Sequence, residues 1–199
     1  MSEIPSSIPT LSKFDPRQVK WQFRAIKDIR CNFDYSQGLH EVLLSGAVGS
    51  AKSIFMAHVI VTHCLLYPGA HFGIGRLTMP ALKKTLLDVI LKHMGDEVYY
   101  IHNKVEGIIR LPDFHSQISC WSWKDLNYQK FRSNEFSGFA FEELTENPSN
   151  EVYREVKMRL GRLSHVPECL LMAATNPDDP DSHWVYNDLI LPFEKAKSA

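Results

Sequence analysis

The 199 residues, 44% hydrophobic and 23% charged, suffice to fill the core of one α/β domain. A formal net charge of −1 excludes the global basic footprint of many nucleic-acid binders, which leaves only local patches such as Lys83/Lys84 or Lys124, Lys130 and Arg132. The four cysteines, Cys31, Cys64, Cys120 and Cys169, form no CxxC, which argues against a zinc ribbon or redox pair and for free thiols in a reducing compartment.

In chain order, Met1 to Thr10 (MSEIPSSIPT) is polar and Pro/Ser-rich, unlike a secretory leader, and residues 1–13 read as a flexible arm. Asp15-Pro16-Arg17 opens a helix to Arg30 that carries Val19, Phe23, Ile26 and Ile29 at helical spacing. Glu41 to Leu44 is a core strand. The run from Ile54 to Tyr67 is apolar but falls short of the ~20 residues that cross a bilayer, so it reads as a buried helix, with no membrane partner. His58 and His63 on that helix lack the i, i+4 spacing of a metal-binding pair.

Pro68-Gly69 stops the helix, Ala70 to Gly75 is a strand, and Pro80 to Met94 is an amphipathic helix. This βαβα start predicts a parallel sheet. Glu97 to His102, Gly107 to Leu111 and Gln117 to Trp123 are short, β-prone and separated by turn residues, which predicts an antiparallel β-excursion near 97–123. Then follow a short helix over 125–132, a strand from Ser137 to Phe141, a helix from Glu151 to Leu163, a strand from Cys169 to Ala174, and a short helix from Trp184 to Phe193 broken at Pro192.

Three pieces carry chemistry. Gly46-Ala47-Val48-Gly49-Ser50-Ala51-Lys52-Ser53 lies between a strand and a helix, the layout of a phosphate-binding P-loop. Small residues let backbone N–H groups curl around phosphate oxygens at the positive end of the helix. Lys52 would reach the β/γ-phosphates of ATP and the Ser53 hydroxyl would hold Mg²⁺. Ala51 replaces the last glycine of GxxxxGK[ST], a substitution that costs stability only where φ must be positive.

The second piece is Glu142-Glu143 at the end of the FAF strand, with Glu142 as metal carboxylate, where aspartate is commoner, and Glu143 as the base that activates water. The third is Thr175-Asn176 before Pro177, a hydroxyl and an amide at the carboxyl end of another strand, placed to sense the γ-phosphate. Together they define the expected fold class: an α/β P-loop NTPase in three layers, with a mostly parallel central sheet and flanking helices.

Taken in order, the pieces resemble the ATPase domain of the large terminase subunit of tailed bacteriophages, the motor that packages double-stranded DNA into proheads. The resemblance rests on FDPRQ at 14–18, SGAVGSAKS, Gly75-Arg76-Leu77-Thr78, KFRSNEFSGFAFEELTE at 130–146, and ATNP followed by Ser182-His183-Trp184-Val185-Tyr186. It implies that Gln18 recognises adenine with Trp21 stacking nearby. It also implies that Lys52 and Ser53 belong to the nucleotide loop, that Glu142 and Glu143 are the metal-binding and catalytic acids, and that Thr175-Asn176 is the coupling motif. Arg132 resembles an arginine inserted into a neighbouring subunit's site, with Arg76 as second choice. The implied cofactors are ATP and Mg²⁺.

The implied partners are double-stranded DNA, like subunits in a ring, a portal protein and a small terminase subunit, in the cytoplasm of a bacterial host. Residues 14–199 would form the ATPase domain. The nuclease that follows it in large terminases is not expected here, since this chain stops shortly beyond ATNP. Two other functions share these motifs: a helicase-like P-loop ATPase, and a degenerate nucleotide-binding or assembly module without turnover.

Overall fold

The computed structural model describes residues 39–46, 49–125, 127–176 and 183–192. The arm over 1–13, the helix expected over 15–30 with Gln18 and Trp21, the loop residues Ala47 and Val48, and Cys31 lie outside the described residues.

Seven strands form one sheet: β1 (Leu39–Ser45), β2 (His71–Arg76), β3 (Ile101–Asn103), β4 (Ile108–Leu111), β5 (Ser116–Ser122), β6 (Gly138–Phe141) and β7 (Cys169–Thr175), in the order β1-β7-β6-β2-β5-β4-β3. The pairs from β1 through β5 are parallel, and β4 and β3 add antiparallel strands at one edge. The helices are α1 (Lys52–Leu66), α2 (Met79–Lys84), α3 (Leu86–Met94) and α4 (Glu151–Lys157). The expected class, a mostly parallel α/β sheet with flanking helices and an antiparallel element, is the one observed.

Period-2 alternation distributes each strand between two cores. Leu170, Met172 and Ala174 of β7, Phe72 and Ile74 of β2 and Ala140 of β6 face a layer built with Phe55, Ile60, Leu86 and Ile90 from α1 and α3. Leu171, Ala173, Phe139 and Phe141 face the other way, into an aromatic layer with Trp123, Phe131, Phe136 and Tyr153. Two glycines of β2 make room for that second layer. A Cβ at Gly73 would lie 2.2 Å from the Phe139 ring, and one at Gly75 2.3 Å from the Trp123 ring.

The antiparallel excursion expected near 97–123 is present as β3-β4-β5, and β5 also pairs parallel with β2, which joins it to the main sheet. Three details differ from the sequence expectation. The helix expected over 80–94 is two helices, interrupted at Thr85 with φ −116 and ψ −102. The helix expected to reach Leu163 ends at Lys157, because the Arg159 carbonyl accepts from the Phe136 amide and Leu160 forms a parallel bridge to Phe136. The short helix expected over 125–132 is a 3₁₀ segment at Tyr128–Phe131.

Candidate functional site

Strand register brings the three chemical pieces to one rim. Ser45 pairs with Thr175 and Phe141 with Ala173, and these strands are parallel, so the P-loop, Glu142-Glu143 and Thr175-Asn176 all leave the sheet at its carboxyl edge. That edge is where open α/β sheets bind ligands. The Gly46 amide donates to the Thr175 carbonyl at 3.3 Å, stitching the start of the loop to the end of β7.

Two residues of the turn that leads into α1 have positive φ. Gly49 has φ 81 and Ala51 has φ 61, so both occupy the left-handed region. The missing glycine therefore matters, since an L-residue there carries a penalty of about 1–2 kcal/mol from Cβ crowding. Among the described residues no side chain caps the N-terminus of α1, and no acidic residue stands in its first turn, which leaves a positive helix end suited to an anion.

Lys52 is buried, and its ammonium donates to the Gly46 carbonyl at 2.6 Å, to Ser50 Oγ at 3.2 Å and to Asn176 Oδ1 at 3.0 Å. Asn176 passes the connection on, because its Nδ2 donates to Glu143 Oε2 at 2.9 Å. Glu143 has φ 51, a left-handed conformation that is strained for a side-chain-bearing residue, and this turns the chain immediately after Glu142. Behind them, the Thr175 hydroxyl donates to Thr145 Oγ1 at 3.2 Å.

Ser53 Oγ donates to Glu142 Oε1 at 3.2 Å. A hydroxyl beside a carboxylate is a hard-oxygen donor set, which fits Mg²⁺ rather than a softer metal. Glu142 is buried, and burial raises its pKa above the ordinary carboxylate value against opposing hydrogen bonds from Thr85, Leu86 and Ser53 and the charge of Arg76. Arg76 in turn grips Glu146, with Nε 3.1 Å from each carboxylate oxygen, while its Nη1 lies 3.8 Å from Glu142 Oε2. Those Glu146 hydrogen bonds, aided by the surrounding carboxylate charges, raise the Arg76 pKa further despite its partial desolvation.

Gly46, Gly49, Ser50, Ala51, Lys52, Ser53, Glu142, Glu143, Thr175 and Asn176 are thus gathered along this one rim. Arg132 is elsewhere: it ends the 3₁₀ segment, pairs with Glu155 of α4 at 3.6 Å, and lines a groove of about 450 Å³ with Tyr128, Glu151 and Met158. Arg76, the second choice for that role, lies beside its own chain's Glu142. Neither Thr85 nor Glu146 stood out as a site residue in the sequence: Thr85 lies in no motif, and Glu146 closes the FAFEELTE run four residues past Glu142, the signal that could have pointed to it.

These features define a mostly parallel α/β sheet of the P-loop type. No protein-family model matches the chain, and no curated protein sequence does. Solved structures of phage large terminases share its fold. The large terminase of a thermophilic bacteriophage superposes with a TM-score of 0.72 at 14% identity, over 88% of this chain and 43% of that one. The same protein has also been solved with ADP and with ATP-gamma-S. The HK97 bacteriophage large terminase gives 0.69 at 13%, over 94% and 37%. The large terminase ATPase domain of Thermus phage P74-26 gives 0.53 at 13%, over 74% and 62%. This chain spans less than half the length of the first two of these proteins.

Proposed function

We propose that this chain is the ATP-hydrolysing motor domain of a phage-type large terminase, driving double-stranded DNA into proheads. The observation that carries the proposal is the convergence of Lys52, Ser53, Glu142, Glu143 and Asn176 at one sheet rim. The terminase fold of the solved relatives, some of them with ADP or ATP-gamma-S, supports nucleotide as the ligand.

In this reading the loop amides and the α1 terminus bind the phosphates, and the Lys52 ammonium leaves the Gly46 carbonyl to neutralise the β/γ-phosphates. Ser53 and Glu142 would hold Mg²⁺, which when bound would supply charge neutralisation to the phosphates. Glu143 takes the proton of the attacking water, and Asn176 orients its carboxylate. Gln18 and Trp21 hold the adenine. Arg132, with its side chain 59% exposed, offers its guanidinium to a neighbouring copy in a ring of like subunits, where it stabilises charge on the transferring phosphoryl group. The ring works on the portal with a small terminase subunit, in the cytoplasm of the bacterial host.

The test is Glu143→Gln. It abolishes ATP turnover and leaves nucleotide binding nearly intact; unchanged hydrolysis overturns the assignment.

A further inference from the structure

The two carboxylate oxygens of Glu142 serve different elements. Oε1 faces Ser53 Oγ at 3.2 Å, on the nucleotide side. Oε2 points the other way, to the junction of α2 and α3, where it accepts from the Thr85 hydroxyl and from the Leu86 amide at 3.4 Å. Thr85 reaches it because the backbone breaks there, at φ −116 and ψ −102, although the amphipathic pattern runs on through both helices. Arg76 backs the arrangement, with Nη1 3.5 Å from Thr85 Oγ1 and its guanidinium pinned by Glu146.

A threonine hydroxyl has one proton to donate, and here two acceptors compete for it: Glu142 Oε2 and the Ala81 carbonyl at 2.9 Å. An ionised carboxylate is the stronger acceptor, so the proton goes to Glu142. Glutamate also has one more torsion than the aspartate usual at this place, and an unanchored carboxylate would swing about it.

We infer that Thr85 is the positioning residue for Glu142: it anchors Oε2, with the Leu86 amide, so that Oε1 stays beside Ser53 on the side where nucleotide and cation bind. The inference rests on the nucleotide-binding reading above. It also makes the α2–α3 junction a part of the site, so filling the site stiffens the junction.

The experiment titrates ATP-gamma-S into the wild-type chain, Thr85→Val and Thr85→Ser by calorimetry, with Mg²⁺ and again with EDTA. Loss of one hydrogen bond to a charged group lowers the Mg²⁺-dependent gain in affinity about tenfold in Thr85→Val. Affinity in EDTA is unchanged, and Thr85→Ser restores the gain. A Thr85→Val chain with the full Mg²⁺-dependent gain overturns the inference alone. A wild-type chain that binds no nucleotide in either condition overturns the functional reading and this inference with it. Should Thr85→Val fail to fold, amide exchange in the wild type decides: exchange at Leu86 slows when Mg²⁺ and ATP-gamma-S are added, and unaltered exchange there refutes the anchor.

Discussion

The side-chain amide of Asn176 donates to Glu143 Oε2 at 2.9 Å, joining the end of β7 to the turn that follows β6. Its oxygen accepts from Lys52 Nζ at 3.0 Å, so a single amide spans the lysine proposed to bind phosphate and the proposed base. Asn176→Ala removes both bonds without touching the loop backbone. Loss of a group that orients a general base lowers kcat for ATP hydrolysis roughly 10- to 100-fold. KM shifts far less, because the phosphate cradle is intact. Steady-state kinetics read both numbers, and an unchanged kcat contradicts the orienting role.

Ala51 occupies a left-handed position, φ 61, that glycine would adopt without strain. Relief of about 1–2 kcal/mol of Cβ crowding is offset by the greater chain entropy that glycine loses on folding, about 0.5–1 kcal/mol. Ala51→Gly therefore stabilises the chain by roughly 0.5–1 kcal/mol. A β-branched residue there does the reverse, and Ala51→Val destabilises. Urea unfolding midpoints decide: an Ala51→Gly variant weaker than wild type contradicts the strain argument.

Burial holds His63 neutral, lowering its pKa to about 4, and the ring meets Ser137 Oγ at 3.1 Å. Above the ordinary value of 6.5 both folded and unfolded states are neutral, and the contribution of His63 to stability is fully present. Between 6.5 and about 4 only the unfolded state takes up the proton, so stability falls as the pH drops, by about 1.4 kcal/mol per pH unit for one histidine. His71, also lowered to about 4 by burial, adds to the same decline. His63→Gln removes its own share, and its stability curve is flatter over that window. Denaturant unfolding across the window checks it; parallel curves for the two chains refute the assignment.

Much of this site was legible in the sequence because its parts are local. A run of tiny residues between a strand and a helix, paired acids after FAF and the Thr-Asn step each announce themselves by residue type and position. Thr85 could not be found that way. The amphipathic pattern passes through it unbroken, and the break sits where Glu142, 57 residues away, takes its hydroxyl. The end of α4 escaped for a similar reason, since the Arg159 carbonyl is drawn to the Phe136 amide of a distant segment. That β5, antiparallel to β4, also pairs parallel with β2 is likewise decided by that neighbour rather than by its own alternation. Ala51 shows the converse: residue preference argues against a left-handed backbone, and the loop imposes it nonetheless.

The central claim is that Lys52 and the Glu142-Glu143 pair, about ninety positions apart and brought to one rim by parallel strands, share a nucleotide triphosphate. Calorimetric titration of ATP with Mg²⁺ into the wild-type chain and into Lys52→Ala tests it most directly. The account predicts saturable binding by the wild type and a loss of at least about tenfold in affinity when the charged donor to phosphate is removed. No binding by the wild type, or equal binding by the two chains, contradicts it.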